Sequence, residues 1–207
     1  MPATLYYVHD PMCSWCWGFE PTRERMFAAL DGRLEIVRLL GGLALDSDAP
    51  MPDNMRLGLQ QTWQRIEQMI PGTRFNYAFW TDCAPRRSTY PANRAVIAAR
   101  EQGASYDGQM TNRIQQAYYL EARNPSDDST LIELAEDIGL DRERFIADLA
   151  SPATERRLLA EIDESRAMGI NGFPSLALRD ENGVLAHLAL SYTNVDAMLD
   201  QVEALIG

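Results

Sequence analysis

The sequence contains no lysine, so all 19 basic residues are arginines, and 30 acidic residues outnumber them. The formal net charge of −11 disfavours a nucleic-acid-binding surface, which needs a basic face. Long apolar runs are also missing, since no stretch approaches the ~20 residues of a membrane-spanning helix. The first ten residues lack the basic and apolar regions of a signal peptide. We therefore expect a soluble, cytoplasmic protein that binds neither nucleic acid nor membranes.

Cysteine is scarce, and the total of three is odd, which excludes the disulfide framework of a small secreted domain. Cys13 and Cys16 form a CxxC motif in the stretch HDPMCSWCWGFEP. Such a pair is typical of redox chemistry in a reducing compartment, but it also fits two structural thiols. A zinc site needs about four ligands, and only Cys83, His9 and His187 could join the pair, at no recognised spacing. We therefore predict no metal site.

Hydrophobic periodicity predicts a β-α-β unit in the first forty residues, of the kind that forms a parallel crossover. Its second strand alternates apolar and polar residues after an Asp-Gly helix stop. The predicted elements are a strand at Thr4–Asp10, a helix from the residue after Cys13 to about Leu30, and a strand at Arg33–Leu40.

A helical pattern then runs through residues 51–168, in which Ser88 and Thr89 are candidate helix caps. The strand period returns at residues 174–180 and 184–190, joined by the tight-turn signal Asn-Gly, and an amphipathic helix follows. We predict a domain made of residues 1–50 and 169–207, interrupted by a helical insertion at residues 51–168.

The predicted helix start gives the two cysteines different roles. Unpaired amides and the helix dipole favour an anion at the first turn, and a thiolate is such an anion, so Cys13 is the predicted nucleophile. Cys16 lies one turn further on the same face and is the predicted resolving thiol, less exposed than Cys13. Pro21 falls inside this helix, and Trp15 flanks the pair with apolar surface that a substrate could contact.

A second feature lies far along the chain, where Pro174 opens the third predicted strand after Gly-Phe. We predict that the Phe173–Pro174 bond is cis and lies beside Cys13. The backbone amide and carbonyl of Phe173 would then be available to pair with an extended substrate. The predicted substrate-binding residues are therefore Trp15, Phe173 and Pro174.

The sequence resembles a known family at these positions. It has C-S-W-C after the first strand, a proline eight residues beyond the first cysteine, and Gly-Phe-Pro before a late strand. With the helical insertion, this combination is similar to the DsbA-like thiol–disulfide oxidoreductases, in the branch of FrnE-type predicted protein-disulfide isomerases. The resemblance implies an α/β thioredoxin-like fold, β-α-β then β-β-α, with a large all-helical insertion. It also implies catalysis by Cys13 and Cys16. One departure is Trp15, because DsbA has a histidine before its second cysteine.

We therefore expect a protein-disulfide oxidoreductase or isomerase in which Cys13 attacks a substrate disulfide and Cys16 resolves the mixed disulfide. The expected partners are thiols and disulfides of proteins or small molecules. No bound cofactor is expected, and glutathione is a candidate redox partner. One alternative is a glutathione-dependent isomerase or transferase of the kappa or hydroxychromene-carboxylate isomerase type, which usually has serine at the position of Cys13. Another is a non-catalytic protein-binding adaptor. The direction of exchange and the oligomeric state stay open.

Overall fold

A single four-stranded mixed sheet lies at the centre of the computed structural model, which describes residues 2–207. Its strands are β1 (Thr4–His9), β2 (Glu35–Leu40), β3 (Ser175–Arg179) and β4 (Leu185–His187), in the order β2-β1-β3-β4. β1 is parallel to β2 and antiparallel to β3, so it pairs with one strand from the start of the chain and with one from near its end. The predicted crossover unit is confirmed.

The helices follow the predicted order along the chain. They are α1 (Ser14–Leu30), α2 (Asp53–Met69), α3 (Phe79–Asp82), α4 (Tyr90–Arg100), α5 (Tyr106–Tyr119), α6 (Asp128–Asp137), α7 (Arg142–Leu149), α8 (Pro152–Ala167) and α9 (Val195–Ile206). Helices α2 to α8 therefore lie between β2 and β3, as the period change predicts. The exact division at residues 51 and 168 stays a prediction.

Different elements pack against the two faces of the sheet. Leu5 and Tyr7 of β1 face α1 and α9 and form a core with Phe19, Met26 and Met198. The opposite face carries Val8, which packs with residues of β2, of β3 and of the segment after α8. A third and larger core fills the helical block. Because side chains alternate across a strand, β1 contributes to both faces.

Buried charges tie β2 to the helical block. The guanidinium of Arg38 lies 2.9 Å from a carboxylate oxygen of Asp107, and that of Arg100 lies 2.6 Å from the other. The backbone amide of Leu40 donates to the Glu161 carboxylate at 2.8 Å. The end of β2 is therefore held by α4, α5 and α8 together.

Several predicted boundaries were wrong. β2 begins at Glu35 because the amide of Arg33 donates to the Leu30 carbonyl and so belongs to the preceding turn. β4 is only three residues long, since the Gln201 side chain bonds both the amide and the carbonyl of Ala189. The short helix α3 was not predicted. Within residues 2–207, every helix is too short or too polar to cross a lipid bilayer.

Candidate active site

Cys13 occupies the N-cap position of α1, with extended backbone angles of φ −80° and ψ 115°. Its carbonyl accepts the amide of Trp17 at 3.1 Å, and its own amide donates to the Asp10 carbonyl at 3.0 Å. The sulfur therefore lies at the end of the helix where the first amides have no intrahelical partner. The structure places Cys13 where the sequence predicted it.

The two thiols differ in their surroundings, although both are unbonded. Cys13 retains 6% of its surface and Cys16 retains none. Burial raises the pKa of the Cys16 thiol well above its usual value, and the adjacent Cys13 raises it further. The Cys16 thiol is therefore held in its neutral form beside Cys13.

The Phe173–Pro174 segment approaches Cys13 from the start of β3. The peptide bond is cis, and Pro174 is buried. The Cys13 thiol donates to the Phe173 carbonyl at 3.4 Å, across a separation of 160 residues in sequence. Pairing of Val8 with Ser175 fixes this approach, because it sets β3 directly beside β1. The predicted neighbours are therefore together, and their role in binding a substrate stays a prediction.

Aromatic rings surround the half-buried side of the CxxC turn. The Trp15 ring lies 5.3 Å from the Tyr192 ring, and the guanidinium of Arg65 lies 5.9 Å from the centre of the Trp15 ring. The indole N–H of Trp63 donates to the Ser14 hydroxyl at 2.9 Å. Trp63 is fully buried, and it links α2 to the dipeptide between the cysteines.

A buried carboxylate holds the CxxC turn to its surroundings. Asp10 accepts hydrogen bonds at 2.7–2.8 Å from the amides of Met12 and Leu43, the hydroxyl of Thr89 and the side-chain amide of Asn93. Burial raises the pKa of Asp10, and these hydrogen bonds oppose the shift. Thr89 does precede α4, but the predicted side-chain cap is absent, since its hydroxyl serves Asp10. Asp10 thus joins three segments beneath the cysteines.

The other candidate ligands are dispersed. His9 is fully buried with neither ring nitrogen hydrogen-bonded, whereas Nε2 of His187 contacts the Met168 carbonyl at 2.9 Å. Cys83 is half-buried and donates to the Ala122 carbonyl at 3.0 Å. Among residues 2–207, no three histidine, cysteine or acidic side chains come close enough to hold a metal ion.

Three neighbours of the site were not predicted from the sequence: Thr89, Asn93 and Trp63. A tryptophan on a buried helix face needs a partner for its N–H, which signals that a partner exists without identifying it. Thr89 and Asn93 are one helical turn apart, so they share a face, but nothing local indicates that this face meets Asp10.

Comparison with known proteins agrees with this geometry. The thioredoxin family profile matches residues 6–199. The cytosolic disulfide reductase DsbM of Pseudomonas aeruginosa superimposes with a TM-score of 0.79 at 26% identity, covering 98% of each chain. Its structure with GSH gives a TM-score of 0.76 at the same identity of 26% and coverage of 98% of each chain.

A curated relative is the ClpXP adapter protein SpxH of Bacillus subtilis, 26% identical over 175 residues. The match covers 84% of this chain but only 58% of the length of SpxH.

The predicted thioredoxin-like fold with a helical insertion is therefore confirmed, as is the resemblance to DsbA-like oxidoreductases. Because the family profile spans most of the residues and both cysteines, the chain belongs to the thioredoxin family.

Proposed function

We propose that this protein is a cytoplasmic thiol–disulfide oxidoreductase with Cys13 as nucleophile and Cys16 as resolving thiol. The observation that carries the proposal is the asymmetry of the pair. Cys13 lies at the start of α1 with its sulfur against the Phe173 carbonyl, whereas Cys16 is fully buried. Burial keeps the proton on Cys16 until a mixed disulfide has formed on Cys13.

In the proposed reaction, the Cys13 thiolate attacks one sulfur of a substrate disulfide. A new S–S bond forms, the substrate S–S bond breaks, and the leaving thiolate takes a proton. Cys16 then loses its proton and attacks the Cys13 sulfur, which releases the second substrate thiol. The substrate gains two electrons and two protons, and the enzyme ends with a Cys13–Cys16 disulfide. A thiol donor returns the pair to the dithiol by the same steps in reverse.

The proposed substrate groove lies between Trp15 on one side and Phe173 with Pro174 on the other. No bound cofactor enters the reaction, and we propose glutathione as the thiol donor. The likeness to DsbM, named a cytosolic disulfide reductase and solved with GSH, supports glutathione and the reducing direction. Trp15 and the half-buried Phe173 offer apolar surface for the chain that carries the substrate disulfide.

Trapping of the mixed disulfide tests this proposal. Cys16→Ser should accumulate adducts with glutathione disulfide or protein disulfides, detected as added mass, because nothing resolves the bond on Cys13. The matched control is Cys83→Ser, which should reduce bis(2-hydroxyethyl) disulfide at the unmodified rate with glutathione as the donor, in an assay in which NADPH and glutathione reductase regenerate the glutathione. Adducts that persist in Cys13→Ser/Cys16→Ser, or an inactive unmodified protein, would contradict the proposal.

A second candidate function is a protein-binding adaptor, favoured by the likeness to SpxH, which is named a ClpXP adapter protein. In that case the fold would present a surface and the cysteines would be dispensable. Partner capture that is unchanged in Cys13→Ser/Cys16→Ser, together with an inactive unmodified protein, would favour the adaptor over the oxidoreductase.

A further inference from the structure

Gly41, directly after β2, has no room for a side chain. A Cβ built on its backbone would lie 2.0 Å from Cε1 and 2.1 Å from Cζ of the Phe173 ring. Carbon atoms in contact are normally about 3.5–4.0 Å apart, so any side chain at position 41 would displace this ring by about 1.5 Å. The backbone φ of Gly41 lies outside the left-handed region. The position therefore needs glycine for space and not for conformation.

Other glycines near the site differ from Gly41. A Cβ at Gly172, in the same segment as Phe173, would meet nothing within 4 Å. Gly42 does have a left-handed φ of +60°, and a Cβ there would strike Ile162 of α8. Gly41 is thus distinguished by the residue that covers it, which is the residue whose carbonyl contacts Cys13.

The Phe173 ring cannot move aside freely, because it packs on a buried cluster on one face of the sheet. That cluster comprises Val8, Leu39, Met168, Ile170 and Ala177. The amide of Gly41 donates to the His9 carbonyl at 2.7 Å, which fixes the glycine beside the end of β1. The ring is therefore held from both sides, and its backbone carbonyl accepts from the Cys13 thiol at 3.4 Å.

We propose that Gly41 is a positioning residue for the Phe173–Pro174 segment. Because Gly41 has no side chain, the Phe173 ring packs directly against its Cα. This contact fixes the Phe173 carbonyl against the Cys13 sulfur. This inference deepens the proposed function and rests on it, since the Phe173–Pro174 segment forms one side of the proposed substrate groove beside the Cys13 sulfur.

The test is a double-mutant cycle with Gly41→Ala and Phe173→Ala, and with Gly58→Ala as the control. A Cβ at Gly58, on α2, would meet nothing within 4 Å. The first measurement is kcat/KM for bis(2-hydroxyethyl) disulfide in the glutathione-coupled assay. The second is the rate of Cys13 alkylation by iodoacetamide at pH 7, followed by peptide mass spectrometry, which separates Cys13 from the other two cysteines. Alkylation requires no turnover, so it also judges Gly41 if the protein proves inactive in exchange.

We expect Gly41→Ala to lower kcat/KM about tenfold to a hundredfold, as a misplacement of about 1 Å can do. The rate of Cys13 alkylation should rise about threefold or more, because the displaced segment no longer holds the Cys13 thiol by the Phe173 carbonyl. In the Phe173→Ala background, Gly41→Ala should change both kcat/KM and the rate of Cys13 alkylation by less than twofold. The control Gly58→Ala should leave both rates unchanged. If Gly41→Ala fails to fold, the double variant should fold again.

Three results would overturn the proposal. One is a Gly41→Ala protein with an unchanged rate of Cys13 alkylation. Another is an equal effect of Gly41→Ala with and without the Phe173 ring, and the third is a double variant that also fails to fold. If the unmodified protein is inactive in exchange but Gly41→Ala still raises the rate of Cys13 alkylation, the proposed function is refuted and the positioning role is retained.

Discussion

Replacing Asp10 with alanine should destabilise the protein, because it removes the acceptor shared by three segments of the chain. The amides of Met12 and Leu43 would each lose the hydrogen bond that they make at 2.8 Å. The Thr89 hydroxyl can turn to the Ala44 carbonyl, which lies 3.4 Å away. The main cost therefore comes from the two backbone amides.

The magnitude follows from the burial of these two amides. A buried donor left without an acceptor costs about 1–3 kcal/mol. The Met12 bond is fully buried, whereas that of Leu43 is partly buried, so water can replace the latter at lower cost. Loss of the buried carboxylate also relieves its desolvation. The expected loss is about 2–4 kcal/mol, a large share of a typical stability of about 5–15 kcal/mol.

Urea unfolding at pH 7, followed by circular dichroism, measures this loss. The control is Asp163→Ala, since the Asp163 side chain is 79% exposed and its nearest cation, Arg166, is 3.9 Å away. It should change the free energy of unfolding by less than about 0.5 kcal/mol. A loss below about 1 kcal/mol for Asp10→Ala, or one equal to the control, would refute the role assigned to this carboxylate.

The same variant has a defined pH dependence. Burial raises the pKa of Asp10, so the folded state binds its proton more tightly than the unfolded state does. The resulting stabilisation is complete below the unfolded pKa of about 4 and is lost as pH rises through the folded value. The stability gap between the unmodified protein and Asp10→Ala should therefore narrow from pH 4.5 to pH 7. A gap that widens over this interval would contradict the direction of the shift.

Three further predictions concern the surroundings of the cysteines. Burial holds the pKa of His9 well below its usual value, so the free energy of unfolding decreases as pH falls below about 6.5, where the unfolded chain takes up a proton that the buried ring does not. The free energy of unfolding of His9→Phe should therefore vary less between pH 7 and pH 5 than that of the unmodified protein. Arg65→Gln should slow oxidation of the reduced protein by anionic glutathione disulfide about threefold or more but leave oxidation by cationic cystamine unaffected, with the exposed Arg156→Gln as control. Because Trp15 replaces the histidine of DsbA, equilibration with glutathione should give a potential below DsbA's value of about −120 mV.

Local patterns predicted most of the fold. Apolar periodicity and turn residues act over a few positions, so β1, α1 with its internal Pro21, and α9 were found close to their observed bounds. The four-residue α3 is too short to show a period. The early end of β4 depends on the Gln201 side chain, which reaches it from α9, and such a tertiary contact leaves no trace in the strand itself.

The same distinction between local patterns and tertiary contacts applies to the candidate active site. Cys13 at a helix start and Pro174 at a strand start are local features, and the order of elements was enough to predict that they meet. Three of the four partners of Asp10 come from distant segments, so local sequence could not show what this carboxylate binds. Gly41 gave no signal at all, because a glycine after a strand is ordinary until the ring that covers it is known.

The order of strands in the sheet has a consequence for synthesis on the ribosome. Cys13 is translated 160 residues before Phe173, whose carbonyl it contacts, and β1 has no antiparallel partner until β3 has been made. At about 5–20 residues per second, this interval lasts roughly 8–30 s. During that time Cys13 belongs to a nascent chain that lacks the segment whose carbonyl its thiol contacts. The thiol is therefore exposed to cellular oxidants and disulfides for seconds before β3 places the Phe173–Pro174 segment beside it.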